Sequence, residues 1–225
     1  MTFPVSTILT VTAVTIIIVT PASAEEKAAS QINQMHIKTD GPTISVFLSS
    51  EHESCLGTLI HKQWVLTAAH CFLPRDSAEH DLMLIKLKNP LKLINPVKLA
   101  VLPNTTDDRV GATCTVSGWG WTWWNYNTNP DIQINQDVIW FSNEDCQEAS
   151  TRQMPIKVSE NMFCAGSPPE SLHSCREIAA APILCQNQLQ GILSWSEGCT
   201  LRGDTGYYTK ISHYTDWILK VIHSS

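Results

Sequence analysis

Cys175-Arg-Glu-Ile-Ala-Ala-Ala-Pro-Ile-Leu-Cys185 is the stretch on which the reading of this chain turns. Two cysteines bracket it, three alanines run into Pro182, and Ile183–Cys185 opens an apolar run. A second run, Leu189-Gln-Gly-Ile-Leu-Ser-Trp195, follows across Gln186-Asn-Gln188, so the two are expected to pair as a β-hairpin. The bracketing cysteines belong to a set of eight. An even number in a secreted chain reads as a disulfide framework whose connectivity the sequence alone leaves open.

Secretion is read from the other end. Residues 1–24 carry no charged side chain, and Ile8 to Thr20 is an apolar, β-branched run closed by Pro21 and Ala22-Ser23-Ala24. That is the h-region and small-residue cleavage site of a signal peptide, with Glu25 as the expected mature start, although the n-region lacks Lys or Arg. The run is shorter than a typical membrane span, which favours cleavage over an uncleaved anchor, and no second stretch of spanning length follows. Residues 25–225 are then one domain, and 43% hydrophobic content over 225 residues suffices for a sizeable core. A net charge of −6 without a basic block makes nucleic acid and anionic membrane poor partner candidates.

Along the mature chain, Glu25 to Asp40 is polar and reads as a loose arm. Strands are expected at Thr43–Leu48, Gly57–Ile60 and Trp64–Thr67, the last two joined by the turn His61-Lys62-Gln63. Val138–Ser142 is a further strand, and Asn143-Glu-Asp-Cys-Gln147 opens a short helix with acidic residues in its first turn. Gly206–Ile211 is a last strand. Ser212–Ile222 is a closing helix with Ser212 as its N-cap and Trp217, Ile218 and Val221 on one face. Asn104-Thr-Thr106 is an N-glycosylation sequon. Trp121-Thr-Trp-Trp-Asn-Tyr126 is an aromatic loop that either anchors a partner or folds back over apolar surface. The eight histidines are scattered, without His-Glu-x-x-His or tight Cys/His spacing, so no metal and no other cofactor is expected.

Several of these segments together resemble the trypsin-like, chymotrypsin-family serine proteases, and most closely the trypsin-X group of inactive homologues. The resemblance is carried by Leu66-Thr-Ala-Ala-His-Cys71 with Cys55 sixteen residues before Cys71, by His80-Asp-Leu-Met-Leu-Ile-Lys-Leu87, by Cys114-Thr-Val-Ser-Gly-Trp-Gly120, by Asn161-Met-Phe-Cys-Ala-Gly166 and by Leu189–Trp195. It implies an all-β, chymotrypsin-like double β-barrel with a C-terminal helix. The N-terminal barrel would occupy about 41–100, the C-terminal barrel about 101–211 and the helix about 212–222. It also implies four bridges: Cys55–Cys71, Cys114–Cys185, Cys146–Cys164 and Cys175–Cys199.

The family's Cys-x-Gly-Asp-Ser-Gly-Gly-Pro-x-x-Cys aligns with Cys175–Cys185 residue by residue. His70 and Asp81 then match the catalytic His and Asp, while Ala179 falls on the nucleophile. Glu177 falls on a glycine of the oxyanion hole, and Ile178 on the Asp that pairs with the N-terminus freed by activation. The Arg/Lys-Ile-Val-Gly-Gly activation sequence is absent as well. In the specificity pocket His173 matches the floor residue, Ser196 replaces a wall glycine and Gly206 is retained. A methyl group cannot attack a carbonyl, and acyl transfer needs a nucleophile beside its base together with an oxyanion site.

One departure concerns the fold. Only residues 71–80 separate His70 from Asp81, where the family template has roughly forty. Ten extended residues reach at most about 36 Å, so the two side chains can still meet. The strands that should close the first barrel are missing, so exposed edges and a less stable N-terminal half are expected. A skipped exon or a misassigned gene model would leave the same gap. The functional expectation is a secreted pseudoprotease that binds an unknown protein partner, in an oligomeric state the sequence does not give. The alternatives are a residually active endopeptidase, with Ser174 as a substitute nucleophile, and a shortened product with no independent role.

Overall fold

The structure, a computed structural model, describes residues 9–10, 17–20, 23–28, 34–38, 45–49, 54–73, 78–91, 99–119, 133–153, 157–167, 179–200 and 203–224. Two all-antiparallel sheets dominate them. The first contains β1 (Leu9–Thr10), β2 (Ile17–Thr20), β3 (Ser23–Ala28), β4 (Gln34–Lys38), β5 (Ser45–Ser49), β6 (Ser54–His61), β7 (Trp64–Thr67) and β8 (Met83–Lys86). Their order in space is β1-β4-β5-β6-β7-β8-β2-β3. The second contains β9 (Thr113–Trp119), β10 (Gln133–Trp140), β11 (Met162–Gly166), β12 (Pro182–Cys185), β13 (Gln188–Ser196) and β14 (Gly206–Lys210). These six close into a barrel in the order β10-β11-β14-β13-β12-β9. This is the expected chymotrypsin-like, mostly β architecture.

Alternation of side chains explains the closure. Along β10, Val138 and Trp140 point inward and are buried, while Asp137 and Ile139 face out. Inside, Trp140 stacks on Phe163 with ring centroids 3.7 Å apart, and Phe163 stacks on Tyr208 at 5.3 Å. A Cβ at Gly191 would stand 2.8 Å from both Phe163 and Tyr208, so only glycine lets β13 pass this stack. The hairpin between β12 and β13 turns on Gln186 and Asn187, both in the left-handed region (φ 50° and 64°). That matches the two-residue turn whose twist suits antiparallel strands.

The first sheet corrects one expectation and qualifies another. Among the described residues between His70 and Asp81 there is no strand, and while residues 17–20 remain attached the edge of β8 is covered. β2 pairs with it antiparallel, Ile17 opposite Lys86, Ile18 opposite Ile85 and Val19 opposite Leu84. The arm expected to be loose from Glu25 to Asp40 contributes most of β3 and all of β4, which pairs with β5. A backbone edge leaves N–H and C=O groups to be satisfied, and neighbouring extended segments of the same chain satisfy them here.

One apolar cluster joins β5–β8 to the C-terminus. Val46, Leu48, Trp64, Leu66 and Leu84 share it with Ile211, Tyr214 and Ile218. The closing helix also differs from expectation at its start. Ile211–Tyr214 forms a 3-10 turn, and the α-helix runs from Thr215 to Ser224. Ser212 therefore lies inside the turn, fully buried, and is no N-cap. Trp217, Ile218 and Val221 do share the face packed on the core. The other helix, Asn143–Gln153, is capped by Ser142, whose Oγ accepts from the Asp145 N–H at 3.1 Å and donates to the Asp145 carboxylate at 2.7 Å. Among the described residues no helix is long and apolar enough to cross a membrane.

Candidate active site

His70 sits on a 3-10 turn, Ala69–Cys71, that follows β7 directly. Two devices fix this turn. The Cys55–Cys71 bridge ties its last residue to β6, and Thr67 Oγ1 donates to the Leu56 carbonyl at 2.7 Å beneath it. Closing so short a loop restricts the unfolded chain and is worth about 3 kcal/mol.

Asp81 arrives from the other side. His80 adopts a left-handed conformation (φ 54°) and the Leu82 N–H donates back to the His80 carbonyl at 2.7 Å, which folds the chain sharply just before β8. The carboxylate, 4% exposed, then receives three donors. The His70 backbone N–H reaches Oδ1 at 2.9 Å, the His70 ring Nδ1 lies 2.7 Å from Oδ2, and Ser194 Oγ–H donates to Oδ2 at 2.6 Å. Burial pushes this carboxyl up, but the bond from the His70 ring, the His70 charge, the Ser194 hydroxyl and the His70 amide together hold it below the usual Asp range. Despite the shortened connection, the two residues meet, with the His70 Nδ1 and backbone N–H both held by the carboxylate.

Ser194 was not singled out from the sequence. Its signal was there: a hydroxyl in the middle of the apolar run Leu189–Trp195, buried at 4% exposure, has to bond to something.

Ala179, aligned with the nucleophile, is held against β6. It bridges to Cys55, and its carbonyl accepts from the Leu56 N–H at 2.8 Å. Through the Cys55–Cys71 bond it is thus linked to the turn that carries His70. Ala180, fully buried, sits in the left-handed region (φ 63°) at a position that the motif match aligns with glycine. The backbone course suited to glycine is retained under an alanine, at a cost of about 1–2 kcal/mol. His173, Ser174, Glu177 and Ile178 lie outside the described residues, as does the aromatic loop Trp121–Tyr126.

Beyond the pair, Ser196 Oγ donates to the Gly198 carbonyl at 2.8 Å, and Ser196 opposes Gly206 across β13 and β14. A Cβ on Gly206 would stand 2.6 Å from the Thr200 methyl and 2.8 Å from the Tyr208 hydroxyl. The space over Gly206 is therefore taken by this chain's own side chains. Asn104 is exposed, its carbonyl accepting from the Asp107 N–H at 3.1 Å.

Three of the four implied bridges are present: Cys55–Cys71, Cys114–Cys185 and Cys146–Cys164. Cys199 is also disulfide-bonded, and the far end of that bridge lies outside the described residues. Cys55, His70 and Cys71 bring potential ligand atoms within 4.8 Å of one another. Both sulfurs are consumed by their mutual bond, so the oxidised chain offers a metal no thiolate there.

Comparison with known proteins bears on the family and the fold. The trypsin family model matches residues 32–78 and 73–218, two pieces that meet inside the shortened connection between His70 and Asp81. Human serine protease 58 is 34% identical over 231 residues, covering 88% of this chain and 94% of that one. A Bos taurus relative named "Probable inactive serine protease 58" is 34% identical over 222 residues, covering 82% and 89%. Neuropsin, a serine protease expressed in the limbic system of mouse brain, superposes with a TM-score of 0.61 at 31% identity, covering 75% of this chain and 88% of that chain. A match that runs through both sheets, and breaks where the connection is shortened, makes this chain a member of the trypsin family.

Proposed function

We propose that this protein is a secreted serine protease homologue without peptidase activity, and that it acts by binding another protein. The carrying observation is that the His70–Asp81–Ser194 hydrogen bonds are assembled while the position that the motif match aligns with the nucleophile, bridged to Cys55, is Ala179. The base is oriented, and the aligned nucleophile position offers it a methyl group, which has no proton to give up. Glu177 at the oxyanion position adds a negative charge where a negative oxygen would develop. Thr200 and Tyr208 already stand within 2.6–2.9 Å of where a side chain on Gly206 would begin. A relative whose printed name calls it inactive supports the same reading. Removal at Ala24 and a glycan on Asn104 belong with secretion.

A fluorophosphonate serine-hydrolase probe tests the reading. The secreted chain is expected to stay unlabelled. Specific labelling that His70→Ala abolishes would show a working nucleophile, with Ser174 the first residue to map, and would overturn the inactive assignment.

A further inference from the structure

β8 is a short strand with a neighbour on each side, and the two neighbours have different standing. β7 is joined to it through the His70 turn. β2 and β3 come from residues 17–28, and β3 reaches the sheet only through β2. Release of residues 1–24 would remove β2 whole and leave of β3 only Glu25–Ala28, without its pairing partner. Alternation along the strand shows what is then bared. The Leu87 N–H donates to Gln63 on the β7 side at 2.8 Å, so every second amide, that of Ile85 included, faces β7. Leu84 and Lys86 face β2, in register with Val19 and Ile17. A mature chain would thus carry, next to the core, an unsatisfied edge whose fitting occupant is already known: an extended, apolar, β-branched run such as Ile17-Ile-Val-Thr20.

We propose that the β8 edge, Met83–Lys86, is a strand-accepting site, filled by residues 17–20 while these remain attached and by an extended β-branched segment of a partner protein once they are removed. The proposal rests on the secreted reading above for its second half. Main-chain bonds would supply affinity, and the alternate side chains of the incoming strand its selectivity.

The test uses the chain secreted by mammalian cells, its N-terminus read by intact mass, and a synthetic peptide of residues 15–28 as the probe. If the chain begins at Glu25, the amides of Leu84 and Lys86 are expected to exchange at least 100-fold faster than that of Ile85. Saturating peptide is expected to slow them at least tenfold, and a peptide carrying Val19→Pro is expected not to. Equal protection of the three amides without peptide, whether from a second copy or from another part of the chain, overturns the proposal, as does a peptide without effect. If the secreted chain retains residues 17–28, the cleavage reading fails separately. The strand site is then tested in that chain by Val19→Pro. Exposure of Leu84 and Lys86, reversed by added wild-type peptide, supports it, and unchanged exchange overturns it.

Discussion

The backbone N–H of Leu56 donates to the carbonyl of Ala179 at 2.8 Å, so β6 of the first sheet is bonded to the residue aligned with the nucleophile, just ahead of β12 of the second. Leu56 follows Cys55, which is bridged to Cys71 beside His70. One covalent bond and one hydrogen bond therefore hold the base and the nucleophile position together.

That linkage gives the first prediction. Ala179→Ser is expected to acquire fluorophosphonate labelling at least tenfold above the parent chain, and His70→Ala in the same background is expected to remove it. Peptide turnover is not expected, because Glu177 still stands at the aligned oxyanion position and its charge opposes a developing negative oxygen. In-gel fluorescence and a peptide substrate panel read the two outcomes.

Asp81→Asn is expected to lower stability at neutral pH by about 1–3 kcal/mol, since an amide cannot accept from three donors as the carboxylate does. The folded-state pKa of Asp81 lies below its ordinary value of 3.8. Its stabilisation is therefore fully present above that value and is lost as pH falls through the folded pKa. Urea midpoints of parent and variant should differ above pH 5 and converge as the pH falls well below 3.8.

Ala180→Gly should stabilise the chain by about 0.5–1 kcal/mol, because relief of the left-handed strain exceeds the added freedom of the unfolded chain. Ala181→Gly next to it, at a buried position without positive φ, should destabilise. Opposite signs in thermal midpoint are the readout; equal signs would remove the strain argument.

Gly206→Ala should destabilise by about 1–3 kcal/mol through its contacts with Thr200 and Tyr208. Combining it with Thr200→Ser, which deletes the methyl at 2.6 Å, should recover part of that loss in a denaturant titration.

Much of this was legible in the residues. β7 was expected at Trp64–Thr67 and occupies Trp64–Thr67, because a buried apolar run bounded by a polar turn has few other uses. His70 and Asp81 meet as the motifs implied. The sequence said least where satisfaction of the backbone, rather than a side-chain pattern, decides the outcome. Glu25–Asp40 is polar and reads as solvated, yet an open sheet edge recruits it as β3 and β4. Ser212 has the chemistry of a cap, but packing of Ile211 and Tyr214 into the core turns it inward. Thr200 lies in no motif, and its place over Gly206 follows only from the closed barrel.

The apolar cluster shared by β5–β8 and Ile211, Tyr214 and Ile218 sets an order of events during synthesis. The first sheet emerges from the ribosome long before the segment that covers it. Contacts that span most of the chain are slow to form, and until they do the nascent first half keeps Trp64, Leu66 and Leu84 without their lid, a surface that chaperones recognise. A stop codon directly after β14 would then remove only a short tail and still leave the oldest part of the molecule unfinished.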